Sequence, residues 1–438
     1  MHKLKQCRST REAATEVVHG LVENFQAIHF VAGMGIGITS NVLYTFPIEV
    51  VRRGFHYVGL VYFFINLAVV AITHLLFLLK YIVFPKMYPE RYPTTFWEFV
   101  HDGTKNVFLG ASSMSITTIV NMMYLLRPNW WKFVWSIWWL NFVQAISNTL
   151  IVFFFIFSSS TSKEFRHQGK QVFVKINPSI MLPLVTCTVT SASGTQITEI
   201  LPREYQLAMM IITTMLLIVA IFSSFVAISV LFTRFFNFGI PKNGASFTMF
   251  IPIGIMGQGG IAILVNSQNI CNYYNVIDVV RDVGVALGAI LSISLLALGV
   301  LFTVWGCLSV FYVYIGWPSP HMRDKLEVNM RGDRLLKWLD FELVYWTPTM
   351  WAATFPFATI ALSSREVWVV SGISGFRVLS CIYGFAVIAI TTWCMLATML
   401  FVVPWELRHR KAVEAQDGEV NKPEGKVNDG IVSLRIIA

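Results

Sequence analysis

The stretch GMGIGITSN (33–41) sets three alternating glycines beside hydroxyl and amide side chains within an apolar segment of the chain. Four further stretches share this character: GASSMSITT (110–118), SASGTQIT (191–198), IPIGIMGQGG (251–260) and TFPFATIALSS (354–364). Inside a bilayer, polar backbone and side-chain groups persist only where they face protein or water. Each stretch is followed by a longer and more apolar segment. This alternation predicts a membrane protein built from helix pairs, with one polar and one lipid-facing helix in each pair.

The paired segments predict an all-α protein with ten transmembrane helices arranged as five hairpins. Each segment approaches the ~20 residues that cross a ~30 Å hydrocarbon core, and none contains Lys, Arg, Asp or Glu. The pairs are 27–48 with 55–79, 106–126 with 133–157, 179–198 with 206–233, 245–268 with 283–315, and 347–364 with 378–404. The predicted domain is therefore 27–404, between an N-terminal segment 1–26 and a tail 405–438 whose charged composition predicts disorder.

The distribution of charge predicts the orientation of this domain. The chain of 438 residues has a net charge of +9 and only 13% charged residues, against ~25% in soluble domains. With the predicted spans, 25 of the 33 Lys and Arg residues lie on the side of both termini. Positive charge accumulates on the cytoplasmic side of membrane proteins, so both termini are expected to be cytoplasmic. Topology thus explains the basic excess, and no nucleic-acid partner is expected.

Five recurring polar segments predict a shared lumen, with five inner helices lining a central pore inside five outer ones. The alternative for any single segment is close helix packing through small residues. A lumen without fixed charge would select anions through hydroxyls, amides and helix dipoles rather than through Lys or Arg. The residues expected to line it are Gly35, Thr39, Ser40, Asn41, Ser113, Thr117, Ser191, Ser193, Thr195, Gly257, Gln258 and Gly259.

A few residues are candidates for controlling the path. Phe355 is large enough to plug a narrow lumen, and Pro356 after it bends the helix and frees a carbonyl; ordinary helix packing is the alternative. Glu199, at the outer end of the fifth span, is either a proton-sensitive group or an interfacial carboxylate that is solvated or paired with Arg203. Arg377 opens the last span, where it could draw anions toward the outer mouth or extend to the interface.

The sequence lacks the signatures of an enzyme, a metal site or a nucleotide-driven pump. Its six cysteines show no CxxC and no metal-ligand spacing, and no GxxxxGK[ST] phosphate-binding loop occurs. The predicted spans contain no paired carboxylates, no histidine cluster and no nucleophile with a base. No catalytic residue, cofactor, metal or disulfide is therefore expected, and the predicted function class is transport.

Four stretches resemble one family of transporters. They are MGIGITSNVLYTFP (34–47), IPIGIMGQGG (251–260), WAATFPFATIAL (351–362) and FRVLSCIYG (376–384). In the same order, they resemble the fungal sulfite efflux pumps of the tellurite-resistance/dicarboxylate transporter family, which includes plant slow-type anion channels and a yeast malate permease. The resemblance extends over the whole predicted membrane region.

The resemblance implies a homotrimer of ten-helix protomers in the plasma membrane, each with its own pore. An aromatic residue in the ninth span occludes the pore in channel members, and Phe355 matches it. Glu199 matches an acidic position of the sulfite branch. The implied function is export of sulfite or bisulfite, giving sulfite detoxification. A dicarboxylate (malate) transporter and an anion channel of broad selectivity, both of the same family, stay open as alternatives, although a lumen without Arg or Lys weakens the first.

Overall fold

The computed structural model describes residues 18–103, 105–159, 177–241, 243–315 and 347–399. The expectations for most of the segment 1–26 and for the tail 405–438 lie outside these residues. The chain divides into two compact units, Met1–Thr391 and Thr392–Ala438, and the described part of the second unit is the end of the last helix. All regular secondary structure within the described residues is helical.

Helices of fifteen or more residues alternate between a shorter and a longer member. Numbered in chain order, they are α1 Phe30–Tyr44, α2 Glu49–Leu78, α3 Leu109–Leu126, α4 Trp131–Ser159, α5 Leu182–Thr198, α6 Arg203–Phe238, α7 Ile251–Tyr273, α8 Asp278–Ile315, α9 Trp351–Ser371 and α10 Ser374–Ala397. Helix α2 continues through a π-helical turn, Leu79–Val83, into Phe84–Met87, and a short helix spans Phe96–His101.

Within the described residues, eight helical stretches are long and apolar enough to cross a membrane. The predicted fifth and ninth spans do form helices, α5 and α9, but these are not among the eight. Seven residues of α5 carry hydroxyl groups, and α9 contains Arg365 and Glu366, so both helices are less apolar. The prediction that the ninth span ends at 364 was wrong, because α9 continues to Ser371 and includes this charged pair.

Each odd-numbered helix begins after a 3-10 turn. These turns are Ala27–His29, Asn106–Phe108, Pro178–Met181, Asn243–Phe250 and Pro348–Met350. Proline is tolerated in a first turn because the N–H groups there have no acceptor within the helix. At the other end, α9 stops at Gly372, whose φ of 70° is a left-handed conformation that glycine adopts readily. The repeated entry turn reveals a structural repeat that no sequence periodicity shows.

The odd-numbered helices pack against one another in a closed cycle. Helix α1 contacts α3, α3 contacts α5, α5 contacts α7, α7 contacts α9, and α9 contacts α1. Glycines bring these helices close together. A Cβ on Gly37 would lie 2.0 Å from Thr118 Oγ1, and a Cβ on Gly257 would lie 2.5 Å from Thr359 Oγ1. Any larger residue at these two contacts would force neighbouring helices apart.

Each even-numbered helix covers the seam between two odd-numbered ones. Helix α2 contacts α1 and α3, α4 contacts α3 and α5, α6 contacts α5 and α7, and α8 contacts α7 and α9. Helix α10 reaches α9, where Ser380 Oγ donates to the Ala361 carbonyl, and its Phe385 ring packs on Phe46 just after α1. In the membrane-length stretches, 56–83% of the residues are buried for α1, α3 and α7, but only 28–39% for the even-numbered helices. The even-numbered helices therefore present apolar faces outward, as expected of lipid-facing surfaces.

Candidate functional site

The N-terminal halves of all five odd-numbered helices line one cavity. Val31 of α1, Met114 of α3, Val185 of α5, Ile251 of α7 and Phe355 of α9 contribute to its wall. Its volume of about 30 Å³ has room for one or two water molecules. Because every odd-numbered helix contributes residues from the same end, the five helices run parallel around this space. We refer to the space that they enclose as the lumen.

Phe355 lies at the lumen with its side chain 1% exposed. A Cβ on Gly254 of α7 would lie 3.7 Å from Cδ1 and Cε1 of the Phe355 ring and 3.2 Å from Val185 Cγ1. The ring is thus held where α5, α7 and α9 meet. Its edge lies against Gly254 of α7, which has no side chain. Pro356 also lines the cavity and cannot donate a hydrogen bond to the carbonyl of Ala352, which lies one turn earlier.

Two amide side chains follow Phe355 in the direction of the helix C-termini. Gln258 follows Gly254 by one turn, about 6 Å further along α7 and on the same helix face. Its side chain is 3% exposed and makes no hydrogen bond to another described residue. On α3, Asn121 lies two turns after Met114 on the same face, and it accepts a hydrogen bond from Ser193 Oγ of α5 at 2.5 Å. Helix periodicity therefore places these two amides on the same helix faces as Gly254, which contacts the Phe355 ring, and Met114, which lines the cavity.

Several of the predicted lining residues instead connect inner helices to outer ones. Thr39 Oγ1 lies 2.8 Å from Thr391 Oγ1 of α10. Ser191 Oγ donates to the Thr213 carbonyl of α6 at 2.7 Å. These two hydroxyls make hydrogen bonds to outer helices, Thr39 to α10 and Ser191 to α6. They therefore hold inner helices against outer ones.

Asn141 of α4 joins three helices through its amide. Ser113 Oγ donates to Asn141 Oδ1 at 2.7 Å, and Asn141 Nδ2 donates to Thr117 Oγ1 at 2.7 Å. The same Nδ2 lies 3.5 Å from Thr190 Oγ1 of α5. Buried polar networks of this kind fix helix positions because each unmet partner would cost free energy. Ser113 and Thr117, both predicted to line the lumen, belong to this network.

The remaining predicted lining residues lie at helix contacts. Three side chains donate to main-chain carbonyls: Ser40 to Gly37, Asn41 to Thr118, and Thr195 to Ala192. Three glycines face neighbouring helices: Gly35 and Gly257 face α9, and Gly259 faces α8. All of these residues are buried.

Charged residues collect at the C-terminal ends of the odd-numbered helices. Arg365 forms an ion pair with Glu366 on α9, with side-chain exposures of 30% and 22%. Tyr124 at the end of α3 donates to Glu199 Oε2, just after α5, at 2.9 Å. Glu366 and Glu199 are close enough to interact electrostatically. We call these four residues, Tyr124, Glu199, Arg365 and Glu366, the rim cluster.

The outer arginines named from sequence have other partners. Arg203 Nη2 donates to the Tyr273 carbonyl at 2.9 Å, and its guanidinium lies 5.3 Å from the centre of that ring. The Arg377 guanidinium lies 5.1 Å from the centre of the Trp368 ring. Arg203 is therefore not the partner of Glu199, as one alternative had assumed.

Sequence reasoning missed Tyr124, Arg365 and Glu366. A signal was available for the last two residues. They are adjacent opposite charges directly after the stretch TFPFATIALSS, where α9 has not yet ended. The prediction ends this span at the first charge, although an ion pair is tolerated in the last turns of a buried helix.

The chain is similar to fungal proteins named as sulfite efflux pumps. It is 27% identical over 395 residues to the sulfite efflux pump SSU1 of Candida albicans, covering 88% of this chain and 76% of that protein. It is 25% identical over 422 residues to the SSU1 of Saccharomyces cerevisiae, covering 87% and 88%. The model of one protein family, described as SLAC1, voltage-dependent anion channel, matches residues 24–399. Since this match covers most of the chain, the protein belongs to the SLAC1 family of voltage-dependent anion channels.

Proposed function

We propose that this protein exports sulfite or bisulfite across the plasma membrane and so provides sulfite detoxification. The observation that carries the proposal is the closed cycle of five parallel helices around a small cavity that Phe355 helps to line. The names of the relatives supply the substrate class. A cycle of helices with an uncharged interior suits passage of a small anion better than binding of a large solute.

In the proposed topology the protein is a multi-pass membrane protein with ten spans in five hairpins and both termini in the cytoplasm. Helices α5 and α9 cross the membrane despite their lower hydropathy because other helices surround them, so their polar groups need not face lipid. The N-terminal ends of the odd-numbered helices then face the cytoplasm. The protein would assemble as a homotrimer through part of the apolar surface of its even-numbered helices, as the family resemblance implies.

The proposed path starts at the cytoplasmic ends of the odd-numbered helices. Each parallel helix places a partial positive charge of about half a unit at its N-terminus, which attracts an anion to the entrance. Phe355 and Pro356 form the gate, and Gln258 and the Asn121–Ser193 pair provide hydrogen bonds beyond it. An inside-negative membrane potential favours anion exit by ~2.3 kcal/mol per charge per 100 mV. Flux therefore needs no nucleotide hydrolysis.

The test of this function is efflux from proteoliposomes that contain the purified protein, with the membrane potential clamped. Radiolabelled sulfite is loaded inside, and malate or chloride is added as a competitor. Sulfite flux that follows the potential and resists malate supports the exporter, with protein-free vesicles as the control.

Two results would assign the protein elsewhere in its family. Malate flux without sulfite flux would make it a dicarboxylate transporter. Chloride or nitrate currents equal to those of sulfite would make it an anion channel of broad selectivity.

A further inference from the structure

Glu366 of the rim cluster lies on the lumen side of α9. It follows Phe355 by eleven residues, which is three full helical turns and about 20° more. The two side chains therefore share one face of the helix, about 16 Å apart along its axis. Phe355 lines the lumen near the N-terminal end of α9. Glu366 therefore lies toward the opposite end of the path, near the C-terminus of this helix.

The rim cluster carries net negative charge. Two carboxylates, Glu199 and Glu366, face one guanidinium, that of Arg365. Arg203 and Arg377 do not neutralise the cluster, because their guanidinium groups lie against Tyr273 and Trp368. The C-terminal ends of five parallel helices add partial negative charge at the same end. An anion that leaves the lumen therefore meets a repulsion proportional to its own charge.

The interior before the rim cluster is neutral. Within their bounds, α1, α3, α5 and α7 contain no Lys, Arg, Asp or Glu. The side chain of Gln258 is 3% exposed, shares a face of α7 with Gly254, and makes no hydrogen bond to another described residue, so its amide is available to a solute. Desolvation of an ion scales with the square of its charge, so a dianion pays about four times the cost of a monoanion here. The few hydrogen-bonding groups of Gln258 and the Asn121–Ser193 pair offer compensation suited to one charge rather than two.

We infer that the rim cluster is a charge filter that passes monoanions and rejects dianions, so the exported species is bisulfite rather than sulfite. This inference rests on the proposed function and names Glu366 as its specificity-determining residue. Glu366 acts through its charge at the outer end of the lumen. Arg365 limits that charge, so the filter slows a monoanion little and a dianion strongly.

The experiment compares a dianion with a monoanion at one pH. Proteoliposomes are loaded with radiolabelled sulfate or radiolabelled sulfite in a neutral buffer, where a large part of the sulfite is the monoanion and sulfate stays a dianion. The measured quantity is the ratio of sulfate flux to sulfite flux. Glu366→Gln removes one negative charge from the rim, so this ratio should rise about fivefold, as expected for one charge pair a few ångströms apart in water.

Charge and structural roles are separated by two further variants. Arg365→Gln adds net negative charge and should lower the ratio, whereas the double variant Arg365→Gln/Glu366→Gln restores the original net charge and should return the ratio toward that of the unsubstituted protein. A damaged fold would lower both fluxes and would not produce this reversal. Glu199→Gln makes the same change in net charge at a more exposed position, and it replaces Glu366→Gln if that variant does not insert.

Two outcomes overturn the inference without affecting the proposed function. One is an unchanged ratio in all of these variants while sulfite flux persists. The other is sulfate flux equal to sulfite flux in the unsubstituted protein. By contrast, the absence of any sulfite flux in the unsubstituted protein would refute the proposed function itself.

Discussion

Gly254 of α7 faces the ring of Phe355, which lines the cavity between the odd-numbered helices. A Cβ at Gly254 would lie 3.7 Å from ring atoms Cδ1 and Cε1, which is ordinary van der Waals contact. The space beside the ring therefore depends on both positions, the aromatic side chain on α9 and the missing side chain on α7. This relationship gives two opposite ways to change the bore of the lumen.

Replacing Phe355 with Ala should raise sulfite flux in proteoliposomes several-fold, because it removes the ring from the narrow part of the lumen. Phe357→Ala is the matched control on the same helix. The Phe357 ring packs against Phe250 and Tyr383, with ring centres 5.3 and 5.5 Å apart. Its loss should reduce the melting temperature without raising flux. Equal flux in the two variants would remove Phe355 from the role of gate.

A larger side chain at Gly254 should have the opposite effect. Gly254→Leu would extend toward the Phe355 ring and Val185, so sulfite flux should fall to near the background of empty vesicles. Combining it with Phe355→Ala should recover flux, because the deleted ring makes room for the leucine. Gly254→Ala should change flux little, since the added carbon makes only ordinary contact with the ring. A double variant as inactive as Gly254→Leu would show that the two positions do not share one constriction.

Gln258→Leu should lower sulfite flux about tenfold. The substitution removes a buried amide that has no protein partner among the described residues, and one hydrogen bond to a charged solute is worth about 1.5 kcal/mol or more. Gln144→Leu on α4 is the control, since the Gln144 amide donates to Ser112 Oγ at 3.0 Å, away from the lumen. That variant should lose stability and keep its flux per correctly inserted molecule. Flux at the normal level in Gln258→Leu would mean that the anion passes without this contact.

The helical, membrane-spanning character of the chain could be predicted from sequence because the length and hydropathy of a charge-free segment are local properties. A span such as α7 needs no knowledge of its neighbours to be recognised. The direction of each polar side chain could not be predicted in the same way. The odd-numbered helices are buried on almost every side, so Thr39, which bonds to α10, and Gln258, which bonds to no described residue, look alike in the sequence.

The charged end of the lumen was also beyond local reasoning. Local reasoning ends a span where charge begins and therefore predicts Arg365 and Glu366 outside the ninth helix. In the structure these opposite charges form an ion pair and remain in the helix, because a paired charge costs far less to bury than a single one. Tyr124 and Glu199 are 75 residues apart in sequence, and only the parallel arrangement of α3 and α5 brings them together.

Asn141→Leu should destabilise the protein by roughly 2–3 kcal/mol. It removes the hydrogen bonds to Ser113 and Thr117 and leaves two hydroxyls buried without this partner, at about 1 kcal/mol or more for each. Asn148→Leu is a milder reference. Among the described residues, the Asn148 amide donates one hydrogen bond, to the Leu109 carbonyl at 3.0 Å. Thermal unfolding of the detergent-purified variants measures the difference. A smaller loss for Asn141→Leu than for Asn148→Leu would contradict the assigned network.

Gly257→Ala and Gly259→Ala should change stability in opposite directions. A Cβ on Gly257 would lie 2.5–2.7 Å from Thr359 Oγ1, Cβ and the backbone carbon, so α7 and α9 would have to separate. Overpacking of this kind costs about 1–3 kcal/mol. A Cβ on Gly259 would lie 3.2 Å from Leu295 Cδ1, the mobile end of a flexible side chain.

Alanine is intrinsically better than glycine in a helix by about 1 kcal/mol, so Gly259→Ala should raise the melting temperature while Gly257→Ala lowers it. Because α9 also carries Phe355, Gly257→Ala should alter sulfite flux as well, whereas Gly259→Ala should leave it unchanged. Two stabilised variants with normal flux would mean that α7 and α9 are not held together by the glycine contact described above.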